Sequence, residues 1–197
     1  MYKIFFKDVI DFYLALILSI VLLPLILIIY IILYILIGSP IFLQKRPGYL
    51  NRSFVLFKFK TMIDRDCKKY HPKLFLRFAN VLRRTGLDEF PQLLNILRGE
   101  MSFIGPRPLL MKYLKISKFS KHIRKKCNPG ITGLAQLQVY KKNSKKKWKT
   151  QLELDRYYVE NLSIFLDSKI LFLTFLNFFL YFKKDYFNEK PLANKNF

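Results

Sequence analysis

Cysteine is scarce in this sequence, which argues against a disulfide framework and against a structural zinc site. The 197 residues include two cysteines, Cys67 and Cys127, which cannot form a disulfide framework and suit a reducing compartment. The two histidines, His71 and His122, each stand near one of them, but the resulting pairs are far apart in the chain. Neither pair has the tight spacing of a structural zinc site, so ordinary thiols and imidazoles are expected.

Acidic residues are also scarce. Asp and Glu number 13 against 35 Lys and Arg, which gives a formal net charge of +22. So basic a chain is typical of proteins that meet nucleic acid or an anionic membrane, and its hydrophobic content of 52% favours the membrane. At an acidic bilayer surface each nearby Lys or Arg contributes about 1 kcal/mol of attraction. One candidate function is therefore that of a membrane-anchored basic protein that binds nucleic acid or anionic lipid without catalysing a reaction.

Charge is absent altogether from Phe12 to Ile37, a run of 26 residues. As a helix this run is about 39 Å long, enough to cross a bilayer, and no small-residue cleavage site follows it. Pro24 lies near its middle and predicts a kink, because proline removes one backbone hydrogen bond. Both flanks are basic, so the positive-inside tendency names no translocated end. From the residues alone, a kinked span and a re-entrant helix hairpin both remain open.

The remainder of the chain has neither an internal repeat nor a linker that would divide it. We therefore predict an α+β protein with a membrane-associated segment, 1–38, and one further domain, 39–197. The Phe-rich piece 170–182 is too short to span a bilayer and is predicted to lie along its interface as an amphipathic helix.

Local patterns predict the elements of this domain. Residues 39–62 favour short strands around the Pro47-Gly48 turn, and residues 73–84 and 151–161 favour helices. Pro91 is typical of a helix start, and Gly99 of its end. The apolar side of that helix is predicted to comprise Leu93, Leu94, Ile96 and Leu97.

Asp88 and Glu89 are the one adjacent acidic pair in the sequence. An acidic pair at a helix start is most often a cap that satisfies free N–H groups. Here, however, Arg83 and Arg84 lie one turn upstream, and a helix N-terminus also attracts anions. Carboxylates together with guanidinium groups suit a diphosphate and a divalent metal such as Mg²⁺. Carboxylates also serve as nucleophiles at phosphorus.

Arg107 lies between Pro106 and Pro108, in a stiff loop that makes its placement reproducible. Reproducible placement favours bidentate phosphate recognition over an ordinary surface arginine. Lys58 and Lys60 alternate with phenylalanines, as on a strand with one solvated face, so by themselves they indicate no function.

Together these motifs resemble the bacterial sugar transferases, specifically the monotopic polyprenyl-phosphate phosphoglycosyl transferases in their minimal single-domain form. The ordered set is far more specific than any one motif, and with the apolar run it covers nearly the whole chain. The matching stretches are Gln44–Gly48 (QKRPG), Phe57–Met62 (FKFKTM), Leu82–Leu97 (LRRTGLDEFPQLLNIL), Gly99–Pro108 (GEMSFIGPRP), Pro129–Gln136 (PGITGLAQ) and Leu152–Ile170 (LELDRYYVENLSIFLDSKI).

The resemblance implies a role for each matching residue. Asp88 would be the nucleophile that forms a covalent aspartyl phosphosugar and releases UMP, and Glu89, with Asp88, would hold Mg²⁺. Lys58 would pair with Asp88, and Arg83 would manage phosphate charge beside them. The residues implied in substrate binding are Arg107, Lys60, Pro129, Gly130 and Gln136.

The resemblance also implies partners and a place. The donor would be a UDP-sugar and the acceptor a polyprenyl (undecaprenyl) phosphate, with anionic membrane lipid around the protein and no nucleic-acid partner. Pro24 matches the break of the family's re-entrant hairpin, which puts the enzyme on the cytoplasmic face of the bacterial inner membrane. The reaction would be the first membrane step of a glycoconjugate pathway.

Three departures from the family's pattern bear on these expectations. Leu23, where the family commonly has serine, precedes Pro24, and Gly86 stands before Leu87 where the family usually has Ser or Thr. A lysine-rich loop at 141–149 replaces a segment that commonly carries an arginine before the Trp. A glycosyltransferase that breaks the sugar–phosphate bond and releases UDP is the rival enzyme.

Overall fold

The protein is a mixed structure of helices and short strands, and the predicted α+β class is confirmed at that level. The computed structural model describes residues 5–62, 72–116, 121–139 and 147–185. The helices are α1 (Phe5–Ile37), α2 (Pro72–Thr85), α3 (Leu93–Leu97), α4 (Leu134–Val139), α5 (Lys147–Glu160) and α6 (Ile164–Asp185). The strands are β1 (Ile41–Pro47), β2 (Ser53–Phe59), β3 (Ser102–Ile104) and β4 (Gly130–Thr132).

Strands β1 and β2 form an antiparallel hairpin that confirms the strands predicted for residues 39–62. Directly paired residues share one face of such a ladder, and every second residue returns to it. Phe42 pairs with Lys58 and Gln44 with Leu56, so Lys58, Gln44 and Arg46 lie on one face. That face positions the candidate site.

Strands β3 and β4 pair in parallel, with Ser102 opposite Gly130 and Ile104 opposite Thr132. Gly105 and Gly130 lie so close that a Cβ added at Gly130 would stand 2.0 Å from the Gly105 nitrogen. Glycine is required there because two backbones meet without room for a side chain. The contact joins the Gly-Pro-Arg-Pro segment to the Pro-Gly-Ile-Thr-Gly segment.

Helix α1 contacts the rest of the protein along its whole length. One narrow stripe recurs every three or four residues and lies against the domain: Lys7, Asp11, Ala15, Leu18, Leu22, Ile26, Ile29, Leu33 and Leu36. At its N-terminal end Lys7 pairs with Asp167 of α6 at 2.7 Å. At its C-terminal end Leu33 lies in a core cluster with Phe59 and Phe75. Both ends of the helix are therefore held by the same domain.

The other faces of α1 are apolar and exposed, with Ile20 and Val21 each 66% accessible. Among the described residues, α1 is the one helix that is long and apolar enough to cross a membrane. The helix is continuous through Pro24, and the re-entrant hairpin stays a prediction.

Helix α6 begins six residues before the predicted interfacial piece 170–182. It buries Asp167 and Ile170 and exposes phenylalanines at one-turn and two-turn spacings: Phe165, Phe172 and Phe175. This exposed row fits a membrane-facing side, although an interfacial position stays a prediction.

One detail of the predicted core is wrong. Leu93 and Ile96 are buried as expected, but Leu94 is 49% exposed. Helix α3 buries the side that carries Gln92, Asn95 and Ile96, and at 3.6 residues per turn Leu94 lies on the opposite side.

Candidate active site

Asp88 lies in the 3-10 segment Leu87–Gln92, where its side chain is almost completely buried, at 2% exposure. Gly86, with a φ of 70°, turns the chain into this segment from the end of α2. Gly86 is the N-cap residue and no side chain caps the start of the segment, so capping, the common role of an acidic pair at a helix start, does not account for Asp88. Helix α3 has five residues, too few for its N-terminus to attract an anion strongly.

Basic side chains hold the acidic pair from two sides. The Lys58 ammonium is 2.7 Å from Oδ2 of Asp88 and 3.5 Å from Oε1 of Glu89. Arg107, from a different segment, donates a hydrogen bond of 3.0 Å to the same Glu89 oxygen. The structure thus brings together four of the predicted site residues, drawn from β2, the 3-10 segment and the Gly-Pro-Arg-Pro loop.

Burial has the largest effect on the pKa of the Asp88 carboxyl. Removal from water raises the pKa of the Asp88 carboxyl above its ordinary value, the Lys58 ammonium lowers it, and the Glu89 carboxylate raises it. The carboxylate is therefore poorly solvated, with Lys58 as its direct partner. Such a group keeps unsolvated oxygen lone pairs near a cation, which suits attack on an anionic substrate.

Asn95 is a supporting residue that the sequence did not single out. It is completely buried on α3, accepts a hydrogen bond from the Phe57 N–H at 3.1 Å, and donates to the Val55 carbonyl at 2.7 Å. These bonds fix strand β2 on both sides of Leu56 and so place Lys58. A lone asparagine on the buried side of an apolar helix was the available signal, since buried amides need partners.

Two arginines hold the backbone of the loop that carries Arg107. Arg46 donates to the Pro108 carbonyl at 3.2 Å, and Arg124 donates to the Arg107 carbonyl. Arg46 belongs to the QKRPG motif, whereas Arg124 belongs to none of the motifs identified in the sequence.

Two further predicted site residues lie on neighbouring parts of the described structure, Arg83 on α2 and Lys60 directly after β2. Arg83 is exposed in the last turn of α2 and forms no ion pair with Asp88 or Glu89 in the described structure. Lys60 donates to the Ser39 hydroxyl at 3.3 Å, at the base of the hairpin.

The predicted donor loop, Pro129–Gln136, supports the site through its backbone. The Pro129 carbonyl accepts from the Ser102 N–H, and the Gly130 N–H donates to the Pro106 carbonyl. Gln136 donates from its amide to the Ile131 carbonyl at 3.0 Å, inside its own loop. Their predicted contacts with substrate stay predictions.

Asp88 and Glu89 fit a Mg²⁺ site of the kind that substrate completes. Two neighbouring carboxylates point toward one ammonium group, so their oxygens converge, and Mg²⁺ is commonly held by one or two carboxylates plus substrate phosphates. Within the described residues there is no cluster of three or more Asp, Glu, His or Cys that could form a complete protein-only site. Cys67 and His71 lie outside the described residues.

Comparison with known proteins identifies the relatives of this chain. A family model described as bacterial sugar transferase matches residues 2–181. A sugar transferase of Bacillus subtilis is 45% identical over 143 residues, which cover 70% of this chain and 69% of the relative. A UDP-galactose-lipid carrier transferase of Erwinia amylovora is 31% identical over 86% of this chain, and an undecaprenyl-phosphate glucose phosphotransferase of Komagataeibacter xylinus is 35% identical over 70% of it. The matches cover 39% and 29% of those two longer proteins.

Proposed function

This chain belongs to the bacterial sugar transferase family, and we propose that it transfers a sugar 1-phosphate from a UDP-sugar to a polyprenyl phosphate. The observation that carries the proposal is the buried Asp88 carboxylate at 2.7 Å from the Lys58 ammonium, with Arg107 on the adjacent Glu89. The names of two relatives support the acceptor and the donor, since one refers to undecaprenyl phosphate and another to UDP-galactose.

In the first half-reaction an Asp88 oxygen attacks the phosphorus that bears the sugar. The bond from that phosphorus to the bridging oxygen breaks, and UMP leaves with the electron pair. In the second, a phosphate oxygen of the lipid attacks the same phosphorus, and the Asp88 carboxylate leaves. The product is a polyprenyl diphosphate sugar, and Asp88 is restored.

Lys58 and Arg107 offset the negative charge that gathers when a carboxylate meets a diphosphate. Lys58 orients Asp88, and Arg107 contacts Glu89 while remaining half exposed, so it is accessible to a phosphate. Mg²⁺ held by Glu89 and Asp88 would neutralise further phosphate charge when bound.

The nucleotide product separates this function from its rivals. Incubated with lipid acceptor and a panel of UDP-sugars, the protein is expected to release UMP with at least one donor. Release of UDP would identify a glycosyltransferase instead. No nucleotide from any donor, together with salt-sensitive binding of nucleic acid, would favour the basic binding protein.

Replacing Lys58 with Met is expected to slow UMP release by about 10²–10³-fold, because a preorganised charge is lost. It should also change the pH profile. Asp88 must be ionised to attack, so the rate falls as the pH drops through the pKa of Asp88. Lys58 lowers that pKa, so its removal moves the acid limb to higher pH. Single-turnover UMP release measured against pH tests both effects.

Lys45→Met is the matched control, since Lys45 lies on the opposite face of the same hairpin and is exposed. It should keep the wild-type rate and profile. An unchanged acid limb in Lys58→Met would show that Lys58 does not act on Asp88.

The proposed location is the cytoplasmic face of the bacterial inner membrane, with α1 in the bilayer surface rather than across it. A helix that spans the bilayer would carry one end away from a domain on the other side, whereas both ends of α1 contact this domain. The exposed apolar faces of α1 and the phenylalanines of α6 would face lipid. The charge of +22 adds attraction to anionic headgroups.

Cysteine labelling tests this topology. In a background without Cys67 and Cys127, single cysteines at positions 2 and 52 should both react with a membrane-impermeant maleimide only after the cytoplasmic side is opened. The two positions flank α1, so a non-spanning helix leaves them on the same side. Labelling of either in intact cells with only the periplasm accessible would contradict the proposed location.

A further inference from the structure

The loop that carries Arg107 contains two prolines and so has few backbone N–H groups that can donate hydrogen bonds. Pro106 and Pro108 have no N–H, so two of the three residues in Pro-Arg-Pro cannot donate a backbone hydrogen bond. The loop between β3 and the following 3-10 segment therefore depends on its carbonyl oxygens for anchorage.

All three carbonyls of Pro-Arg-Pro are held, each by a different element. The Pro106 carbonyl accepts from the Gly130 N–H of β4 at 3.1 Å. The Arg107 carbonyl accepts from Arg124 of the 3-10 segment Ile123–Lys126, and the Pro108 carbonyl accepts from Arg46 of β1. The side chain of Arg107 is thereby left to reach Glu89 at 3.0 Å.

Arg124 is in turn held from α5. Its Nη1 lies 3.3 Å from Oδ2 of Asp155, and both side chains are buried. Burial raises the pKa of Asp155 to about 6, and the Arg124 guanidinium opposes this rise. A buried ion pair is weak evidence for stability, because desolvation offsets much of the attraction. The pair instead connects Asp155 of α5, through the Arg124 guanidinium, to the backbone carbonyl of Arg107.

We propose that Arg124, anchored by Asp155, and Arg46 are positioning residues that keep the guanidinium of Arg107 directed at Glu89 and at the donor diphosphate. The inference rests on the proposed function for the identity of the donor. Neither arginine is assigned a contact with substrate. Each acts through a carbonyl of the loop, and a guanidinium suits the task because it holds two groups at once in fixed directions.

A double-mutant cycle between position 124 and position 107 tests the proposal. Arg124→Lys keeps the charge but cannot span both the Arg107 carbonyl and Asp155, so in the wild-type background single-turnover nucleotide release should slow by about 10–100-fold. In an Arg107→Ala background the same substitution should change the rate by less than about 2-fold, because the side chain that it positions is gone. Purified full-length protein in lipid nanodiscs serves for all four proteins.

Stability provides a readout that separates positioning from folding. Any shift of the thermal unfolding midpoint on Arg124→Lys should be the same in both backgrounds, whereas the rate effect should appear in only one. Lys126→Ala is the control, since Lys126 is exposed in the same 3-10 segment. It should leave the rate unchanged.

Equal slowing in both backgrounds, or no slowing in the wild-type background, would overturn the proposal. If Arg124→Lys does not fold, Arg46→Lys decides by the same cycle, as Arg46 holds the next carbonyl. The cycle compares rates whichever nucleotide leaves, so release of UDP would defeat the proposed function without defeating the positioning role.

Discussion

Asp88→Asn is expected to slow UMP release by at least about a thousand-fold, because it removes the nucleophile from a site that otherwise stays intact. The amide has nearly the shape of the carboxylate and is a poor nucleophile. It also lacks the charge that pairs with Lys58 at 2.7 Å. Quench-flow measurement of UMP from a UDP-sugar, with and without lipid acceptor, checks the effect.

The control is Glu153→Gln, which neutralises an exposed carboxylate of α5 and should leave the rate unchanged. The thermal unfolding midpoint of Asp88→Asn should stay close to that of the wild type or rise, because a poorly solvated buried charge has been removed. Near wild-type turnover by a folded Asp88→Asn would reduce Asp88 to a partner for Lys58. The lipid phosphate would then attack the donor directly.

Removal of divalent metal is expected to have the next largest effect. Excess EDTA should lower turnover to about 1% or less, since charge neutralisation on a phosphoryl group contributes several kcal/mol in such sites. Lys58 and Arg107 are already engaged with the two acids and offset only part of the diphosphate charge. Excess Mg²⁺ added back should restore the rate.

The variant Glu89→Gln tests whether Glu89 is a ligand of the metal. The variant should need a higher Mg²⁺ concentration for half-maximal activity and should have a lower maximal rate, because one carboxylate ligand is lost. Full wild-type activity in EDTA would exclude a metal requirement.

Much of the local structure could be predicted from sequence because it depends on local signals. The hairpin follows from alternation around a Pro-Gly turn, and α2 follows from its helical spacing. The pairing of Lys58 with Asp88, by contrast, was implied by resemblance to a family. Alternating lysines on a strand are ordinary, and nothing in their spacing selects Lys58 over Lys60.

Contacts between distant segments lay beyond the reach of sequence reasoning. Arg124 and Asp155 are 31 positions apart (155 minus 124), on elements whose packing no local pattern encodes. Capping, the alternative role considered for Asp88, does not apply for a related reason. Tertiary contact with Lys58 buried the side chain in a 3-10 turn, whereas a cap would have faced its own backbone.

Helix α1 shows a third limit. Its buried stripe recurs with helical spacing, but nearly every residue around the stripe is also apolar. Periodicity can be recognised only by contrast between polar and apolar positions. The uncharged run therefore predicted a membrane helix without predicting which side would pack on the domain.

The most direct test of the covalent mechanism is the intact mass of the enzyme after incubation with a UDP-sugar and Mg²⁺ in the absence of lipid acceptor. A two-step transfer through Asp88 predicts about one UMP per active site and a protein heavier by one sugar phosphate, with the adduct lost on addition of polyprenyl phosphate. The adduct should be absent from Asp88→Asn. Unmodified protein, in a preparation that turns over efficiently once lipid is supplied, would contradict the covalent mechanism.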